Sequence, residues 1–206
     1  MKKAVWLVFL LCIATAFAER TWVVPKLHEI PWKQTIGSGK VRLSAAQRAV
    51  LKRASRRVIA ACVKDPGPWD PTTASGLFEH LRVGRVEIGL DGQKALLVQG
   101  NGVCMCGAVG SCPFWLVGGT GDPRTLLATG ILLSTAGVNS FEFEKSETDG
   151  YFDLVLGSND SAMERFLQRF RFRGTKYVRE GCALLEYDDV MGRPYPKPRI
   201  SPTPCD

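Results

Sequence analysis

Cys104, Cys106 and Cys112 are the residues of this chain best placed to do chemistry, for three of its seven cysteines fall within nine positions, in the run NGVCMCGAVGSCPFWLV. Thiolates at C-x-C-x5-C spacing either hold a metal or close into disulfides. A structural zinc site needs a fourth ligand at a recognisable spacing, and the two histidines, His28 and His80, both lie far from the cluster in sequence. The chain also opens on an export signal, described below, and exported thiols meet an oxidising medium in which they pair. The reading is therefore disulfide, with no metal and no cofactor. In an extended run Cys104 and Cys106 point to one face and bond to two different partners, while Gly107 and Gly110 suit an excursion that returns Cys112 toward one of them.

Other catalytic patterns are missing. There is no G-x-S-x-G elbow, no phosphate-binding G-x-x-x-x-G-K and no H-E-x-x-H. A thiol oxidoreductase shows C-x-x-C opening a helix, and both the spacing and the flanking strands here are different. A carboxylate pair such as Asp149 and Asp153 is the kind that runs glycoside hydrolysis. Their positions read first as a turn residue and an outward strand residue. No catalytic residue is assigned, and a secreted hydrolase with a carboxylate site stays as the alternative.

The first eighteen residues, MKKAVWLVFLLCIATAFA, carry Lys2 and Lys3, an apolar run and the small-x-small triplet Ala16-Phe17-Ala18, the pattern of a secretory signal peptide. Cys12 is a poor lipidation site, since Leu11 precedes it where a small residue is needed. Removal of residues 1–18 leaves 188 of 206 residues, lowers the formal charge from +7 to +5, and leaves six cysteines: Cys62, Cys104, Cys106, Cys112, Cys182 and Cys205. Six cysteines allow 15 connectivities. Among them, Cys106 with Cys112 is the natural local pair, Cys62 goes to Cys104 because its helix face looks inward, and Cys182 and Cys205 are left to each other. The net positive charge leans toward acidic partners, such as anionic envelope polymers or lipid surfaces, or an exported protein. No later stretch is long and apolar enough to span a membrane.

Residues 19–42 mix Trp22, Pro25, Pro31 and Trp32 with glycine and scattered charge, and read as an extended arm laid over the domain. A single helix-plus-β domain follows over 43–190. Ser44 caps a helix ending at Asp65-Pro66-Gly67-Pro68, with Leu43, Val50, Leu51, Ala54, Val58, Ile59 and Cys62 on its apolar side and Arg48, Lys52, Arg53, Arg56 and Arg57 on the other. In an exported protein that basic side is a solvated face or meets an anionic surface, not nucleic acid. Thr72 or Thr73 caps a short helix through Glu79 and His80, whose side chains point apart. Strands then read at 85–90, 94–98, 114–117 and 124–129, with Asp91-Gly92 as a hairpin turn, and again at 140–144, 151–156, 166–172 and 176–187, with Asp149-Gly150 as another. A helical turn over 162–167 is an alternative opening to the seventh of these. The two Asp-Gly hairpins give the sequence the look of a duplicated four-stranded unit. Residues 191–206 form a Pro-rich extended tail that Cys205, next to last, ties down.

The run DGYFDLVLGS resembles the strand-turn segments of FG-GAP and VCBS-type repeats, in which an aspartate-rich turn precedes D-L-V. Such turns bind calcium in that family, but Ile88, Gly89 and Leu90 precede Asp91, and Glu147 and Thr148 precede Asp149, so the ligand set is not carried over. The cysteine loop followed by Phe-Trp-Leu-Val and the second hairpin is also similar to uncharacterised exported bacterial proteins with degenerate β-repeats. That resemblance implies no activity.

The expected fold is mainly β with one N-terminal helix: two four-stranded antiparallel meanders, propeller-blade-like or sandwiched, braced by disulfides. The expected role is a non-catalytic binding module, periplasmic or secreted, with Trp115, Arg53, Arg56 and Arg57 as a possible binding surface; a purely structural module is the other non-enzymatic reading. Intact mass of the exported chain should begin at Glu19, and a lipid-modified Cys12 would overturn that reading.

Overall fold

The segment Lys94–Gln99 is buried from its second residue to its last, so it has no polar face to leave in water. Such a strand must be covered on both sides. The computed structural model describes residues 28–29, 34–107, 110–119, 130–161, 163–187 and 198–205. In chain order these form β1 (His28–Glu29), a 3-10 turn at Ile36–Ser38, α1 (Ala45–Lys64), α2 (Ala74–His80), β2 (Arg82–Glu87), β3 (Lys94–Gln99), α3 (Val103–Cys106) and β4 (Cys112–Val117). There follow β5 (Ile131–Val138), β6 (Ser140–Thr148), β7 (Tyr151–Asn159), β8 (Glu164–Arg173), β9 (Lys176–Glu186) and β10 (Arg199–Thr203). One antiparallel sheet has the order β2-β3-β4-β5 and the other β1-β6-β7-β8-β9-β10. Mainly β, antiparallel and disulfide-braced is the class the sequence predicts.

The two sheets face each other. Ala95 and Leu97 of β3 and Phe114 and Leu116 of β4 join Leu154, Leu156, Phe170, Phe172 and Tyr177 from the six-stranded sheet in one core. The intervening residues Leu96, Val98, Trp115 and Val117 point the other way, where Leu51, Ile59, Leu77 and Phe78 of the helices cover them. The result is helices on sheet on sheet, with β3 and β4 in the middle layer. Of the two arrangements anticipated for the strands, this is the sandwich.

The sheets also meet through backbone. Gly89 bridges Tyr151, and the Phe152 N–H donates to the Ile88 carbonyl at 2.9 Å, so the tips of the two Asp-Gly hairpins are joined. A Cβ on Gly89 would lie 2.6 Å from the Gly150 carbonyl oxygen, which leaves room for glycine alone. In the second hairpin Asp149 and Gly150 both take positive φ, 55° and 81°, as a two-residue primed turn requires.

α1 begins as expected. The Gln47 N–H donates to Ser44 Oγ and the Ser44 N–H to Gln47 Oε1, a complete capping box. Its buried stripe is Gln47, Leu51, Ser55, Ile59 and Cys62; Leu51, Ile59 and Cys62 lie on the predicted apolar side, with Leu43, Ala54 and Val58 of that side partly buried at its edge, and Gln47 and Ser55 are the residues not foreseen. Two polar residues can lie there because each is satisfied: Ser55 Oγ donates to the Leu51 carbonyl at 2.8 Å and Gln47 Nε2 to the Gly119 carbonyl at 2.6 Å.

Three further expectations need correction. Trp115 is 2% exposed and lies under the helices, so it is a core residue and not part of a binding surface. The strand paired with β4 is β5 at Ile131–Val138, a segment not foreseen; the predicted strand at 124–129 lies outside the described residues. The cysteine run is not extended, for Val103–Cys106 forms one helical turn. The signal segment, Trp22, Trp32 and residues 188–197 of the tail also lie outside the described residues.

Three disulfides close: Cys62–Cys104, Cys106–Cys112 and Cys182–Cys205, the pairs reasoned from the sequence. The last crosslinks β9 to the segment after β10, whose Thr203 stands opposite Cys182. Pro202 is tolerated because β10 is an edge strand. Replacing Cys182 and Cys205 together by serine removes a bond that spans 23 residues and should lower unfolding free energy by about 3 kcal/mol. Denaturant titration checks the loss, and hydrogen exchange should show it concentrated in the amides of β10.

Candidate functional site

The cysteine loop is a scaffold. Asp70, in the turn after α1, accepts from the Val103 N–H at 3.2 Å and the Cys104 N–H at 2.8 Å. It thus caps the one-turn helix α3, whose own N-cap, Gly102, has no side chain to offer. Glycine is required there, because φ is 94° and a Cβ would fall 1.9 Å from Asp70 Oδ1. Residues two apart on a helical turn lie roughly 200° apart. Cys104 therefore reaches back to Cys62 at the end of α1 while Cys106 reaches forward to Cys112 at the start of β4. Two different partners was the expected outcome, reached through helical rather than extended geometry. Among the described residues no group of three or more His, Cys, Asp or Glu side chains is arranged to hold a metal ion.

The carboxylate pair comes apart. Asp149 sits in the hairpin turn, whereas Asp153 is 0% exposed, not an outward residue. An irregularity in β6 between Phe143 and Glu147 turns Ser146 and Thr148 toward it, and their hydroxyls donate to its two oxygens at 2.9 Å each. Arg171 Nε lies 3.4 Å from Asp153 Oδ2 and 2.9 Å from Glu180, which also holds Arg173. Arg169 pairs with Glu144 at 3.0 Å. Three of the four arginines of β8, Arg169, Arg171 and Arg173, are thus answered by carboxylates of β6, β7 and β9, while Arg165 donates to Asn159 Oδ1 at 3.1 Å, and this ladder ties β6, β7, β8 and β9 together.

The cations of α1 are arranged in the opposite way. The helix carries Arg48, Lys52, Arg53, Arg56, Arg57 and Lys64 and no acidic residue. Arg48 pairs with Glu79 of α2 and stands 5.5 Å from the centre of the Phe78 ring, with the Lys52 ammonium 5.4 Å from the same ring. Arg53, Arg56, Arg57 and Lys64 are exposed and make no ion pair among the described residues. The sequence foresaw three of these. What it did not single out is Trp69, 88% exposed in the Pro66-Gly67-Pro68 turn just beyond the helix. The basic side of α1 and this turn form the candidate site, held from behind by the packing of Leu51 and Ile59 and by Cys62–Cys104.

Tyr177 reports on the core behind the ladder. Its hydroxyl donates to the Phe152 carbonyl at 3.0 Å between the sheets. Burial first, then the charge of Asp153 and the neighbouring Tyr151, pushes its pKa well above the ordinary 10.0. The folded protein therefore keeps this proton where the unfolded chain releases it. The resulting stability is complete below about pH 10 and is lost as pH rises from there toward the raised value. Tyr177→Phe should cost about 1 kcal/mol at neutral pH through the lost hydrogen bond, and should flatten the alkaline decline in stability; urea titrations of both proteins at pH 7 and above 10 check this.

No family model, no curated protein and no solved structure matches this chain.

Proposed function

We propose that this protein is an exported, disulfide-stabilised binding module of the cell envelope or exterior, and that α1 is the element that engages an anionic component there. The observation that carries this reading is the contrast between two arginine-rich elements. β8 has three of its four arginines paired within the protein, through Glu144, Asp153 and Glu180, while α1 presents Arg53, Arg56, Arg57 and Lys64 outward without any acidic residue on the helix. Like charges spaced along one helix side repel one another at some cost to stability, a cost that a polyanion offsets.

Export is supported by the signal-like start of the sequence and by three intramolecular disulfides, which fit an oxidising compartment. No helix among the described residues is long and apolar enough to cross a membrane. A hydrolytic role for Asp153 finds no support, since a carboxylate that two hydroxyls and an arginine hold inside a sheet serves architecture.

The test is retention of the purified protein on anionic envelope material as salt rises. Binding should be firm at about 50 mM salt and lost by about 1 M, where the screening length shrinks to about 3 Å. Arg53→Glu, Arg56→Glu and Arg57→Glu combined should abolish it while the fold is retained and thermal stability is not lowered, since the mutual repulsion of the helix cations is relieved. Retention indifferent to both would reject the reading, as would turnover of a glycan, peptide or ester that vanishes in Asp149→Asn or Asp153→Asn.

A further inference from the structure

Five large hydrophobic residues are exposed among the described residues, and three of them gather at one corner: Val63 at 40%, Trp69 at 88% and Val103 at 54%. Val63 follows Cys62 and Val103 precedes Cys104, so the disulfide between those cysteines, with Cα atoms 5.4 Å apart, holds the two segments side by side, and Gly67 of the Trp69 turn lies against Val103. Trp69 precedes Asp70, whose carboxylate is bound to the Val103 and Cys104 amides and whose own N–H donates to the Gly67 carbonyl at 3.1 Å. The corner is therefore ordered before anything binds to it. Leaving apolar side chains in water on so heavily tied a segment works against folding, and no packing within the described residues explains it.

The basic side of α1 runs into this corner. On a helix of 3.6 residues per turn Arg53, Arg57 and Lys64 lie along one stripe, and Arg56 and Val63 along the next. Among the described residues Asp65 is the free-standing carboxylate beside the corner, since Asp70 is engaged with α3. Cations along a helix, with a tryptophan and aliphatic side chains at its end, are what an interface of lipid headgroups and acyl chains accommodates: the ammonium and guanidinium groups stay among phosphates while the apolar groups enter below them.

Resting on the reading of α1 as an anion-binding element, the geometry points to the surface of an anionic phospholipid bilayer as its partner, with Trp69 as the side chain that enters the interface and Val63 and Val103 beside it. A soluble polyanion would satisfy the arginines and leave the corner in water. A protein partner needs roughly 800 Å² of complementary surface on each side, more than three side chains at a corner supply. A bilayer needs no matching shape.

The test uses the purified oxidised protein with vesicles of phosphatidylglycerol and phosphatidylcholine, vesicles of phosphatidylcholine alone, and soluble polyphosphate as an anion without acyl chains. Sedimentation with the anionic vesicles is expected, with little on phosphatidylcholine alone. Each cation removed should weaken vesicle binding by about fivefold, and Trp69→Ala by about tenfold, the near-ultraviolet circular dichroism of each variant confirming its fold. Lipids brominated in the acyl chain should quench tryptophan emission, and the quenching should be lost in Trp69→Phe. Absence of vesicle binding at millimolar lipid, or vesicle binding and quenching indifferent to Trp69, would overturn the lipid assignment. If polyphosphate is still held through Arg53, Arg56 and Arg57, the anion-binding reading survives that failure; if it is not, both fall.

Discussion

Everything in this fold follows from a middle sheet with no side to spare for water. β3 and β4 alternate between two apolar faces, so Leu97 and Phe114 need a second sheet and Val98 and Trp115 need helices. At roughly 25 cal/mol per Å² of apolar surface removed from water, leaving either face open would outweigh the few kcal/mol by which a domain of this kind is stable. The helical layer is thus fixed by the sheet beneath it. The direction in which α1 presents its arginines is decided on the opposite side of the same helix, by Leu51, Ile59 and Cys62.

The disulfides reinforce places where that packing is thinnest. Cys62–Cys104 and Cys106–Cys112 hold a four-residue helical turn that hydrophobic burial alone would not maintain, with Met105 its one buried side chain. Asp70 completes the arrangement by spending its carboxylate on two backbone amides. The interior of the larger sheet is held differently, by charge paired across strands, and Asp153 is the point at which β6, β7 and β8 come together.

Much of this was legible in the sequence, and the exceptions share a cause. Asp-Gly turns, the capping serine and the alternation in β2 and β6 are local signals, and they marked their elements. β5 went unseen because its pairing with β4 is irregular in two places, which erases a period of two. α3 went unseen because its cap comes from Asp70, 33 and 34 positions away. Trp115 stood in an unbroken apolar run, Phe-Trp-Leu-Val, where nothing local tells which face is which. Trp69 carried no signal either, since an aromatic residue between prolines reads alike whether it docks or protrudes. Side chains answered by distant partners, or by none, are what a one-dimensional pattern does not record.

The pairing of the cysteines has a consequence for how such a chain is made. Among the six that follow the signal-like segment, the first joins the second, the third the fourth and the fifth the sixth. No link spans a cysteine that belongs to another link. A chain threaded through a membrane from its N-terminus presents its thiols in that same order, and an oxidase that joins each new thiol to the one still waiting reaches the native set directly. For a chain exported in the proposed way, reshuffling by an isomerase would have nothing to correct, and the helix bearing Cys62 would be tied to α3 before β6 to β10 had been delivered.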